Sequence, residues 1–350
     1  MNKTKLYLVF FVVFALLFLY GYSVFQNNNK SINKENAGVR GDDIETVSVG
    51  IQTSPAMALV MIAEDKELDL KNNIDINIKE FTAGKFALQA FLGGSLDIAI
   101  SGDVPVTLAT MQGNEFLVVG QVVRKTINET RIVARKDEFS QDPLTYFKSK
   151  KRKLSTSFGG GPEFFTYEFL KYLGIKDDEV ELISQKPEDM PASLLSGSVD
   201  AISIFDPQAY IAERNMGDKH VTYTNPDIYS ELYVINITTE MKNNKDKIKR
   251  FLRALIDAEK FAQQNPDEAK QIVMKYTKLD KDIVDNIWPN FDFRVFLTNE
   301  LLEFWKREAF WAKEKNKVDP ATPIPDFKND VLFPDPLREI DPKRVEIVYE

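Results

Sequence analysis

From residue 44 onward, two hydrophobic rhythms take turns along the chain. TVSVGIQ (46–52) places an apolar side chain at every second position and reads as a buried strand, and IDINIKEF (74–81) alternates as a second. Between them, PAMALVMIAEDKEL has helical spacing. GKFALQAFLGG is a helix closed by glycine, LDIAIS a third strand, and PVTLATMQGN a helix ended by Gln-Gly-Asn. FLVVGQVV and RIVAR are further strands. The pattern then restarts: strands KLSTSF (153–158), EVELIS and VDAISIF alternate with helices PEFFTYEFLKYLGI, MPASLLSG and PQAYIAERNMG. ELYVINITT (231–239) reads as a strand. The following helix carries an apolar stripe at Ile248, Phe251, Leu252, Leu255, Ile256 and Phe261. From Asp280 onward the pattern predicts helices only, then a proline-rich tail from Asp319. The expected fold is α/β, with two units, each a mostly parallel sheet covered on both faces, and a helical C-terminal wrap.

One phrase occurs twice, as GSLDIAISGDVP (94–105) and GSVDAISIFDP (197–207). Each has a Gly-Ser turn, a core strand and an acidic exit ending in proline. In open α/β sheets, ligands bind at the carboxyl ends of strands, so one such exit per lobe predicts a cleft. Four junctions share the chemistry: Ser54 before Pro55, Asp103 before Val104-Pro105, Gly161 before Pro162, and Asp206 before Pro207. Each reads as an N-cap followed by proline in the first turn. Helix starts offer backbone N–H groups and partial positive charge to an oxyanion. Glycines 102, 159, 160 and 161 allow close approach to the backbone. The candidate pocket is Gln52, Ser54, Thr82, Ser101, Gly102, Asp103, Ser157, Gly160, Phe205 and Asp206. Hydroxyls and N–H groups would hold a polar end, and Phe205 would cover an apolar one. The alternative is that Ser54, Asp103 and Asp206 only cap helices; an uncapped Asp103 or Asp206 would instead suit an amine.

Composition narrows the chemistry. The 350 residues include no cysteine, which excludes disulfides, thiolate metal sites, a cysteine nucleophile and a lipid-modified cysteine. The single histidine, His220, lies in GDKHVTY, a surface turn entering a strand. That leaves no basis for a catalytic triad or a two-histidine metal site. No phosphate loop is present. The net charge of -8 argues against a nucleic-acid partner, and the one dense basic run, KSKKRK (148–153), reads as a solvated loop or strand lead-in. No cofactor, metal or catalytic residue is expected.

The N-terminus adds a location. Residues 6–25 run without a charge after Lys3 and Lys5. That length spans a bilayer, and the lysines keep the N-terminus cytoplasmic. We read an uncleaved membrane anchor, with a signal peptide cleaved near Gly21-Tyr22-Ser23 as the alternative. Residues 26–43 are polar and read as a flexible linker spanning on the order of 25 Å. The folded part then lies outside the cytoplasm.

Three stretches carry a family resemblance over roughly 47–342: VGIQTSPAMALVMIAEDKEL, FTAGKFALQAFLGGSLDIAISGDVPVTLATMQGN and LLSGSVDAISIFDPQAYIAE. They resemble the substrate-binding proteins of ABC importers for nitrate, sulfonates and taurine. Phe205 stands where that family usually has tryptophan, which keeps ring stacking and loses an indole N–H. The resemblance implies a type II periplasmic-binding-protein fold. Lobe 1 would be 44–125 with 235–350, lobe 2 would be 126–234, and the two hinge strands would lie near 120–130 and 229–239. It also implies a monomer that captures a small anionic or zwitterionic solute and delivers it to an ABC permease with its ATPase subunit. Two alternatives share the fold: a binder of a thiamine-related pyrimidine stacked on Phe205 and Phe158, and an enzyme such as a pyrimidine-precursor synthase or an amide hydrolase. The missing cysteines and the lone peripheral histidine oppose the enzyme. A membrane sensor is opposed by the five residues that precede the apolar run.

Overall fold

The computed structural model describes residues 44–125, 129–225 and 227–347. The expected anchor and linker lie outside the described residues. Among the described residues, no helix is long and apolar enough to cross a membrane.

Two sheets organise the chain. Strands β1 (Glu45–Gln52), β2 (Ile74–Phe81), β3 (Ile98–Gly102) and β4 (Leu117–Lys125) begin the first. Strands β5 (Thr130–Arg135), β6 (Arg152–Thr156), β7 (Val180–Ser184), β8 (Ala201–Phe205) and β9 (His220–Tyr223) form the whole of the second. The chain then returns to the first sheet through β10 (Leu232–Ile237) and β11 (Phe291–Phe296). The orders are β11-β4-β10-β3-β1-β2 and β7-β6-β8-β5-β9.

The sheets are mixed, not mostly parallel. In each, three strands are parallel in the same arrangement, β2-β1-β3 and β7-β6-β8. The repeated phrase supplies β3 and β8, which occupy equivalent places. Each then pairs antiparallel with a strand delivered from the other sheet: β3 with β10, and β8 with β5. Such a crossing strand needs no βαβ connection of its own, so its direction is free to oppose the trio.

Burial follows the rhythms. Val47, Val49 and Ile51 of β1 are fully buried, as are Leu252 and Leu255 of the helix Lys245–Gln264. Each such side chain contributes about 1.5 to 3 kcal/mol relative to exposure. Three expectations change. β11 was expected to be helix; Phe291, Phe293 and Val295 face inward while Asp292 and Arg294 face solvent, and the strand pairs with β4. The short helix Pro143–Ser149, capped by Asp142, was not expected at all. In the basic run, Arg152 is buried rather than solvated. Its guanidinium lies 3.8 Å from the Tyr146 ring centre and 2.7 Å from Asp137 Oδ2. Of the three tryptophans, Trp305 and Trp311 are core residues of the helix Asn299–Glu314.

Candidate functional site

The carboxyl ends of β1 and β3 meet those of β6 and β8 across a narrow cavity between the two sheets. Gln52 and Gly102 line it from the first sheet, and Ser157, Gly160 and Phe205 from the second. These are five of the ten candidates. The cavity measures about 20 Å³, which is room for about one water molecule.

The other five candidates do not line it. Ser54 caps the turn at Pro55–Met57, accepting from the Ala56 N–H at 3.1 Å. Thr82 is exposed. Ser101 is buried inside the sheet and accepts from Asn236 Nδ2 at 3.1 Å. Asp103 and Asp206 are each 0% exposed and committed to protein partners.

Asp103 is not the expected N-cap. Gly102 holds that position, and Asp103 is the first residue of the helix Asp103–Met111. Its Oδ1 accepts from the Val104 N–H at 3.0 Å and from the Tyr229 hydroxyl at 2.5 Å, and its Oδ2 from the Leu232 N–H at 3.3 Å. The carboxyl group thus ties the returning chain to the helix start. Burial, and then the nearby charge of Glu231, push Asp103 up to about 7. Glu308 is equally buried and accepts from Thr107 Oγ1 at 2.5 Å; burial and Asp103 push it well above the usual carboxyl range. The Tyr229 ring packs on Phe164 and Phe304 with centroids 5.1 and 5.4 Å away.

Asp206 is not chiefly a cap either. Its Oδ1 lies 3.0 Å from Arg131 NH1, and its Oδ2 accepts from Asn290 Nδ2 at 2.8 Å. A weaker bond from the Tyr210 N–H, at 3.2 Å, serves the helix Gln208–Met216. Arg131 is also held by Glu213 through two bonds of 2.7 and 2.8 Å. The Asn290 bond joins the C-terminal segment to the exit of β8.

Sequence reasoning missed Lys85, Tyr233 and Glu231, all of which line the cavity. Lys85 follows the end of β2 in a helix start, a position whose chemistry the local spacing does reveal. Its Nζ reaches across to Ser157 Oγ at 2.9 Å and to the Phe158 carbonyl at 2.7 Å, and burial lowers its pKa. Glu231 was assigned to a strand; the strand starts at Leu232, and Glu231 stands on the connection from β9. Phe158 faces away, toward a separate open groove of about 640 Å³ beside the helix Gly161–Tyr172. Two ion pairs lie along that groove, Lys317 with Glu163 and Lys315 with Asp177. Among the described residues, no group of histidine, cysteine and acidic side chains is placed to hold a metal ion.

A Bacillus subtilis (strain 168) protein named for aliphatic sulfonate binding is 23% identical over 310 residues, covering 86% of this chain and 92% of that one. The crystal structure of the periplasmic aliphatic sulphonate binding protein SsuA from Escherichia coli superposes with a TM-score of 0.70 at 19% identity, covering 82% of this chain and 97% of that one. The periplasmic nitrate-binding protein NrtA from Synechocystis PCC 6803 gives 0.67 at 15% identity, with 86% and 89% covered. The fold is therefore that of the periplasmic binding proteins, as the resemblance implied. A family model described as "NMT1/THI5 like" matches residues 54–269, more than half of the chain, and the chain belongs to that family.

Proposed function

We propose that this chain is the extracytoplasmic solute-binding protein of an ABC importer. It captures a small anionic or zwitterionic solute between its lobes, without turnover, and delivers it to a permease. The observation that carries this reading is the convergence of Gln52 and Gly102 from one sheet with Ser157, Gly160 and Phe205 from the other on a single cavity. Strand carboxyl ends and helix starts from both sheets favour a ligand at that point. The relatives named for binding sulfonate and nitrate support the class of solute. Residues 6–25 would hold the protein at the outer face of the membrane.

A cavity of about 20 Å³ admits a solute only if the lobes part. Parting would break the bridge from Lys85 to Ser157 and the bond between Asn290 and Asp206. The hinge segments would be the two places where the chain changes sheet, between β4 and β5 and between β9 and β10. Closure around solute is then a hinge motion whose closed state the permease reads.

The test uses the full-length chain in mild detergent, screened with nitrate, taurine, alkanesulfonates, bicarbonate and aminopyrimidines. A solute present at a hundredfold excess over its Kd should stabilise the fold by about 2.7 kcal/mol. Hydrogen exchange should slow both at 101–105 and at 204–207. Protection confined to one of these segments, or product formed from any hit, would overturn the reading.

A further inference from the structure

Glu231 is 4% exposed and stands one residue before β10. It faces two glycines. A Cβ on Gly102 would come within 2.4 Å of Glu231 Oε1, and one on Gly161 within 2.7 Å of the same oxygen. Gly102 precedes the helix Asp103–Met111, and Gly161 opens the helix Gly161–Tyr172. One carboxylate therefore rests against two helix starts at once, one from each lobe. The partial positive charge of those helix starts, which a bound oxyanion would use, already has the chain's own anion beside it.

The cavity beside Glu231 has a second, opposite character. Gln52 Oε1 accepts from the Gly84 N–H at 3.2 Å and from the Tyr233 hydroxyl at 2.8 Å. A backbone N–H can be met only by the amide oxygen, so the amide's orientation is fixed. Gln52 is 1% exposed, and its Nε2 has no hydrogen-bond partner. A buried donor left unmet is costly, and here it lines a cavity, so it marks a place for an acceptor atom. Lys85 lines the same space and uses two of its three N–H donors on Ser157 and Phe158.

A plain oxyanion would suit the Gln52 and Lys85 end but would meet repulsion from Glu231 in a site of low dielectric. The geometry points to Glu231 as the specificity-determining residue of this cleft, receiving the cationic nitrogen of a small zwitterion whose oxyanion end lies on Gln52 Nε2 and Lys85 Nζ. This rests on the proposed capture of a solute between the lobes and sets the site apart from one for simple sulfonate or nitrate.

The test is calorimetric titration of the full-length chain with two matched pairs, taurine against ethanesulfonate and β-alanine against propionate, together with nitrate. In at least one pair the amine-bearing member should bind about 100-fold or more tighter, because a site built around a buried hydrogen-bonding group rejects the analogue that lacks its partner. Glu231→Gln should bring that pair within about threefold by weakening the amine-bearing member. Gln52→Glu keeps an acceptor for Gly84 and Tyr233 but removes the donor. It should weaken binding by about tenfold or more while the variant still melts cooperatively. Two results would overturn the inference and leave solute capture standing: an amine-free probe binding the wild type as tightly as its partner, or Glu231→Gln tightening every probe, which would make Glu231 a plug that solute displaces. The same holds if none of the five probes binds while another solute of the wider screen does. If nothing in either panel binds, both readings fall.

Discussion

Asp206→Ala is expected to destabilise the folded chain by about 3 to 5 kcal/mol, the cost of breaking a buried ion pair from one side. Loss of a helix cap alone would cost about 1 kcal/mol. The larger figure follows from Arg131, whose side chain is 7% exposed beside a fully buried Asp206. Removing the carboxylate takes a counter-ion from the buried guanidinium, which keeps its bonds to Glu213, and it takes the acceptor from Asn290 Nδ2 as well. Urea unfolding at neutral pH should show the midpoint fall with the slope unchanged. Asp206→Asn, which keeps the shape and loses the charge, should fall between the two. A cost near 1 kcal/mol for the alanine variant would return Asp206 to the role of a simple cap.

The second large effect is on pH. Asp103 in the folded chain titrates at about 7, against an ordinary aspartate value of 3.8. Between those values the unfolded chain has released this proton and the folded chain retains it. The folded state thus binds more protons, and the contribution of Asp103 to stability is full below about pH 4 and falls as pH rises toward 7. Glu308, also pushed upward, acts in the same direction. A shift of this size corresponds to as much as about 4 kcal/mol. Other carboxylates, such as Glu213, whose pKa its bonds to Arg131 lower despite burial, act oppositely. The readout is therefore the difference between wild type and Asp103→Asn. Relative to that variant, the wild type should lose stability steadily from pH 4.5 to pH 7.5. A difference that stays flat across this range would show that Asp103 is ionised throughout.

Local rhythm made the strands of both parallel trios legible, because Val47, Val49 and Ile51 or Ala201, Ile202 and Ile204 announce burial within a few residues. Pairing was not legible. Nothing near β10 says that it lies between β3 and β4, more than a hundred residues upstream. β11 carries a clear alternation at Phe291, Phe293 and Val295, but it is six residues long between helical neighbours, whose longer periodicity masked it. The candidate site was half visible. Exits of β1, β3, β6 and β8 could be read from glycine, serine and proline. The fates of Asp103 and Asp206 could not, since their partners Tyr229 and Arg131 lie 126 and 75 residues away in the chain. Glu231 gave no local signal, because an acidic residue at a strand edge is ordinary until two glycines are brought against it.

The placement of β10 between β3 and β4 also sets an order of events for a chain made from its N-terminus. All five strands of the second sheet lie within residues 130–223, so that lobe can assemble from what has already been synthesised. The first sheet cannot. β3 and β4 do not pair with each other, and the strand that joins them arrives only after the whole second lobe has been made. Until then, β3 and β4 present unpaired backbone edges to any neighbouring chain. The half-made molecule is therefore most vulnerable to aggregation in the lobe that was begun first, and that lobe is the last to be completed.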